Sequence, residues 1–134
     1  MKPFLIWLVI FVLGFGTATA TQHWVKTNEP DRITIIVDAS YPMSTKWDNV
    51  KDAVNKISNK NYTLYALFTE KGIVHNWKDK PVIGQTKAYG PRDFTSIAKI
   101  DNFIDKNNNT VYFITDDSGV SNNIPSNWTV IKIK

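Results

Sequence analysis

Residues 33–37 read Ile-Thr-Ile-Ile-Val, and the next residue is an aspartate, Asp38, followed at once by Ala39, Ser40, Tyr41 and Pro42. All five residues of the run are β-branched, which suits a pleated strand. The run does not alternate with polar residues, so it reads as a strand buried on both faces, as in a parallel sheet covered by helices. A second run of this form, Thr-Val-Tyr-Phe-Ile-Thr at 110–115, also ends on carboxylates, Asp116 and Asp117. Two buried strands that finish on acids constrain the fold more than any other feature of the chain.

The segments around them fill in an α/β pattern. In 44–61, Trp47, Val50, Ala53, Val54 and Ile57 recur at helical spacing. Ser44 or Thr45 can cap this helix, with Asp48 returning the bond in a capping box. Residues 62–69 and 73–77 read as two strands, and Glu70-Lys71-Gly72 between them reads as the tight turn of a hairpin. A long loop with two prolines and two glycines follows. Residues 94–109 predict a second helix with Phe94, Ile97, Ala98, Phe103 and Ile104 facing inward. The last strand, 128–134, alternates and reads as an edge. The order β-α-β-β-α-β-β predicts an α/β fold of three layers: a mostly parallel sheet of about five strands with one hairpin, and helices on its faces.

Three segments divide the chain. Residues 1–20 hold one lysine, an apolar run from Phe4 to Phe15, and small residues ending in Ala18-Thr19-Ala20. That is the plan of a secretory signal peptide cleaved after Ala20, or of a retained membrane anchor. Either places the remainder outside the cytoplasm: in a periplasm, secreted, or anchored at the membrane through residues 4–20. Residues 21–32 are polar, contain Pro30 and read as a linker. Residues 33–134 are the domain.

Composition removes several function classes. The 134-residue chain has no cysteine, which excludes disulfides, zinc–thiolate sites and thiol catalysis. Its 16 basic and 12 acidic residues give a net charge of +4, but the lysines are scattered, so solvated faces explain them and no nucleic-acid partner is expected. His23 and His75 are isolated and have no second ligand at useful spacing.

Asp38 and Asp116 fall at the carboxyl ends of neighbouring parallel strands, the edge at which open α/β sheets form sites where the strand order reverses. Two carboxylates brought together raise each other's pKa unless a positive charge sits between them. A divalent metal meets that need, and so does an arginine or lysine. Plain turn chemistry at Asp38 and at Asp116-Asp117-Ser118 is the alternative.

The pattern resembles a von Willebrand factor A domain. In that family the first strand ends in D-x-S-x-S, a later loop supplies a threonine, and the fourth strand ends in T-D-G or T-D. Together these hold Mg²⁺ in the metal-ion-dependent adhesion site, which takes a carboxylate from a partner protein. Asp38 and Ser40 match the first motif and Thr115-Asp116 match the last, with Asp117 in the place of the glycine. Pro42 stands where the second serine belongs and Arg92 where the threonine belongs, unless a shifted register brings in Thr95. The resemblance therefore implies a shortened domain with an incomplete site, and binding residues Asp38, Ser40, Arg92, Asp116 and Asp117. Were a metal held, Asp38, Ser40 and Asp116 would hold it. Mg²⁺ wants six oxygen ligands, so the loss of two predicts a domain with no cofactor, in which Arg92 reaches Asp38 or Asp116. The function expected is an exported, non-enzymatic protein-interaction module, an accessory or assembly component at the cell envelope whose partner is another protein. The alternatives are a small structural subunit of a membrane complex held by an uncleaved N-terminal helix, and a metal-dependent hydrolase using Asp38 and Asp116.

Overall fold

The structure, a computed structural model, describes residues 3–104, 109–119 and 124–134, with Ala98 and Phe103 described in their backbone alone. The chain forms two compact units, Met1–Pro30 and Asp31–Lys134.

In the first unit, one helix, α1, runs over Pro3–Asn28 and buries none of its residues. Its 26 residues span about 39 Å, and its mean hydropathy reaches 2.1 over an 18-residue window, so it is long and apolar enough to cross a membrane. Those properties suit a spanning helix and a leader alike. The polar segment from position 21, expected as a linker, instead continues α1 to Asn28. No glycine or proline falls between Thr17 and Glu29, and Pro30 is the first residue in that stretch that cannot donate to a helix. The Thr17, Thr19, Thr21 and Thr27 hydroxyls donate to carbonyls one turn earlier, so each finds a partner within the helix.

In the second unit, β1 (Asp31–Val37), β2 (Thr63–Thr69), β3 (Gly72–Lys78), β4 (Asn109–Thr115) and β5 (Thr129–Lys132) form one sheet in the order β3-β2-β1-β4-β5. β1 pairs in parallel with β2 and β4, and β4 in parallel with β5. β3 alone is antiparallel, as the hairpin partner of β2. The result is a mixed, mostly parallel sheet with β5 on one edge.

The two faces explain the unbroken β1 sequence. Ile33, Ile35 and Val37 pack with Trp47, Val50, Val54 and Ile57 of α2 (Trp47–Ile57). Ile36 packs on the other face with Ile97, Ile100 and Phe113, under α3 (Ile97–Phe103). β1 is thus apolar on both sides because a helix covers each. Val37, Ile57, Phe68, Phe113 and Ile114 are all buried, as their patterning predicts. Full burial of each such side chain stabilises the fold by about 1.5–3 kcal/mol.

Two helix starts differ from expectation. The capping box at Ser44 or Thr45 does not form. With Pro42 in its first turn, a 3-10 segment begins at Tyr41 and runs to Lys46, so both hydroxyl residues lie inside it and α2 starts at Trp47 without a side-chain cap. The second helix begins at Ile97 rather than at Phe94. The Asp93 carboxylate accepts the Thr95 N–H at 2.9 Å, and Ile97 N–H donates to the Phe94 carbonyl, so these residues form turns. Ile104, in extended conformation, ends it. Positions 105–108 of the expected helix lie outside the described residues.

Candidate functional site

The strand order reverses between β1 and β4: the chain moves outward through β2 and β3, then returns to the other side of β1. Crevices at such switch points collect functional side chains beyond the carboxyl ends of the strands. Val37 pairs with Ile114, and Asp38 N–H still donates to the Ile114 carbonyl at 2.9 Å. Asp38 therefore lies beside Thr115 and Asp116. Thr115 Oγ1 donates to Asp38 Oδ2 at 2.7 Å, and the Ser40 N–H donates to Asp38 Oδ1 at 3.0 Å. Asp38, Ser40 and Thr115 are wholly buried, and Asp116 is 6% exposed.

Arg92 fills the space between the two aspartates. Its Nε donates to Asp38 Oδ2 at 3.0 Å and to Ser40 Oγ at 3.3 Å. Its Nη2 donates to Asp116 Oδ1 at 2.8 Å and also lies 3.0 Å from Asp38 Oδ2. Its Nη1 donates to Ser118 Oγ at 2.7 Å, and that hydroxyl donates in turn to Asp116 Oδ1 at 2.8 Å. A planar fork with several fixed donors can bridge two carboxylates in this way, and a lysine cannot. Burial pushes the Asp116 carboxyl up, but the Ser118 hydroxyl, the charge and hydrogen bond of Arg92 and the Gly119 N–H outweigh it and leave it below its ordinary value.

Backbone contacts hold the loop that carries Arg92. Tyr89 N–H donates to the Ala39 carbonyl at 2.6 Å, and Tyr41 N–H donates to the Gly90 carbonyl at 2.9 Å. Trp47 Nε1 donates to the Thr86 carbonyl at 2.9 Å. Gly90 sits at φ +82°, where L side chains rarely go, and a Cβ there would stand 2.5 Å from Lys71 Nζ.

The structure brings Asp38, Ser40, Arg92 and Asp116 into one cluster and leaves Asp117 out of it. Asp117 is exposed and pairs with Lys132 at 3.2 Å, both ends in solvent. Pairs of that kind are worth about 0–1 kcal/mol. Three further residues join the site without having been expected as binding residues: Thr115, Ser118 and Glu70. Thr115 matches the motif but was given no binding role, and Ser118 read only as part of a plain turn. Glu70 read as a turn residue, yet it is wholly buried, and its Oε2 accepts the Ala39 N–H at 2.7 Å. Its Oε1 has no hydrogen bond, and Lys71 Nζ is 3.6 Å away. Burial is the main cause that pushes the Glu70 carboxyl above its ordinary 4.5; the Ala39 N–H, its own backbone N–H and Lys71 offset this in part. A signal was present in the sequence, since each of the three central parallel strands is followed directly by an acid, at Asp38, Glu70 and Asp116.

The oxygens that would hold a divalent cation are those of Asp38, Ser40 and Asp116. A Mg²⁺ ion needs oxygens at about 2.0–2.1 Å, and the guanidinium nitrogens already lie 2.8–3.3 Å from these same atoms. An ion placed there would press against a fixed positive charge, so the residues in this arrangement do not fit Mg²⁺ unless Arg92 leaves. The Asp38 and Asp116 carboxylates are both engaged, by Arg92 together with the Thr115 hydroxyl and Ser40 N–H on Asp38 and the Ser118 hydroxyl on Asp116.

Compared with protein-family models, curated proteins and solved structures, the chain matches none.

Proposed function

We propose that residues 31–134 are a von Willebrand factor A-like protein-interaction module, carried out of the cytoplasm by the N-terminal apolar helix and acting without catalysis at the cell envelope. Arg92 takes the electrostatic place of the adhesion-site metal. The observation that carries this reading is the Arg92 guanidinium, which touches Asp38, Ser40, Asp116 and Ser118 together. Asp38, Ser40 and Asp116 coincide with motif residues of the resemblance, and Arg92 comes from the loop expected to supply a ligand. The edge also carries aromatic residues suited to protein contact: Tyr41 is 62% and Tyr89 is 51% exposed. Arg92 keeps the edge in one shape, and the partner docks on the aromatic rim around it.

Two measurements test this on the full chain. Calorimetric titration with Mg²⁺, Mn²⁺ and Ca²⁺ should give no binding; a dissociation constant below about 100 μM that Asp38→Ala abolishes would restore the metal-dependent form of the site. A photo-crosslinking residue at Tyr41 should give one discrete protein adduct in cells. The same residue at Lys60, exposed at the opposite edge of the sheet, should not. Equal adducts from both positions would count against docking at this edge.

A further inference from the structure

On the α3 face of the sheet, a cavity of about 450 Å³ opens between β2, β3 and α3. That volume lies within the range of small-molecule sites, roughly 300–1,000 Å³. It exists because α3 has only seven residues, about 10 Å of helix, over a five-stranded sheet. Ala66, Phe68, Trp77 and Ile100 give it apolar walls, and Trp77 is held by the Arg32 guanidinium 5.5 Å from its ring centre.

Its charge is one-sided. Lys71 and Lys99 line it, and none of its described lining residues is acidic. Lys71 is already engaged, donating to the Tyr89 carbonyl at 2.6 Å with Glu70 nearby. Lys99 is exposed and has no carboxylate within ion-pair distance among the described residues. An apolar chamber with one uncompensated cation is complementary to an anion with an apolar body.

We propose that this cavity binds the chain of a fatty-acid carboxylate, with its head group on Lys99. A peptide fits the chamber less well. Its floor is the face of a sheet in which β2 is hydrogen-bonded on both sides, to β1 and β3. The β2 backbone therefore presents no open strand edge on that floor to pair with a peptide's amides, and unpaired buried amides are costly. An acyl chain has no such groups. This site is independent of the Arg92 edge and of the function proposed for it.

The test uses the full chain in lipid nanodiscs, labelled with fluorotryptophan at its five tryptophans, with the Trp77 fluorine resonance assigned through Trp77→Phe. Decanoate should move the Trp77 resonance saturably. Lys99→Glu, a change at an exposed position, should weaken the response about tenfold, equivalent to about 1.4 kcal/mol. Decanol, which has the chain without the charge, should bind at least as weakly as decanoate does to that variant. Equal responses to decanol and decanoate would overturn the proposal, as would a Trp77 response that Lys99→Glu leaves unchanged. Movement of the Trp7 and Trp24 resonances alone would mean partition into lipid and would also overturn it. So would a Trp77 shift produced by a short apolar peptide with a free terminal carboxylate but not by decanoate.

Discussion

Arg92 meets Asp38 through two nitrogens, Nε and Nη2, each 3.0 Å from the same carboxylate oxygen, across 54 residues of sequence. Asp38 is wholly buried and the Arg92 side chain is 19% exposed. Removing one member of such a pair strands the other charge in a poorly hydrated place, and that, more than the attraction itself, sets the cost.

Arg92→Ala should therefore destabilise the domain by about 3 kcal/mol at neutral pH, the lower end of the range for breaking a buried pair. Arg92→Lys should cost less but should not restore the wild-type value, because an ammonium cannot reach Asp38, Asp116 and Ser118 together. Adding Asp116→Asn to Arg92→Ala should recover part of the loss. Urea melts measure all four proteins. A double variant no more stable than Arg92→Ala alone would mean that charge repulsion is not the cause.

The pH profile should carry two opposite contributions. Asp116 has a folded pKa below its ordinary 3.8; its contribution is present above 3.8 and is lost as the pH falls through the lower folded value. Glu70 has a folded pKa above its ordinary 4.5; its contribution is fully present below 4.5 and is lost as the pH rises through the folded value. Glu70→Gln keeps an oxygen for the Ala39 N–H and removes the charge. Measured against wild type, it should become progressively more favourable as the pH is raised from 4.5 towards 8. A difference that stays constant over that window would show that Glu70 does not titrate in the folded protein.

Gly119 lies where a Cβ would press on Thr115 Oγ1 and come within 3.2 Å of Asp38 Oδ2. Gly119→Ala should push the Thr115 hydroxyl off Asp38 and cost about 1–3 kcal/mol, the penalty for a buried polar group left without its partner. In a Thr115→Ala background the same change should cost clearly less. Equal costs in both backgrounds, read from denaturant midpoints, would argue against the close approach as the reason.

Phe113 is wholly buried, edge-on to Phe94 at 5.4 Å between ring centres and 6.4 Å from Trp128. Phe113→Ala should cost about 3–5 kcal/mol, much of a small domain's stability. A loss below 1 kcal/mol in the same melts would place Phe113 outside the core.

Elements whose causes are local can be read along the chain. Five β-branched residues made β1, the spacing of Trp47, Val50, Val54 and Ile57 made α2, and a glycine between two short apolar runs made the β2–β3 hairpin. The sequence also placed Asp38 and Asp116 at strand ends, because each follows its strand directly. Helix and strand preference is set by neighbours within about four residues, so it can be read along the chain. What those acids meet is settled by the folded sheet and its loops. Whether Arg92 lands between them depends on β4 returning to pair with β1 and on the loop being pinned through Ala39, Tyr41 and Gly90. The same holds for Glu70. In sequence it occupies an ordinary turn, and it is buried because β2 lies beside β1 in register and so brings the residue after Thr69 up to Ala39. Electrostatics between residues 24 to 54 positions apart is decided by strand order, and strand order is chosen by burial of the whole sheet rather than by any short stretch of sequence.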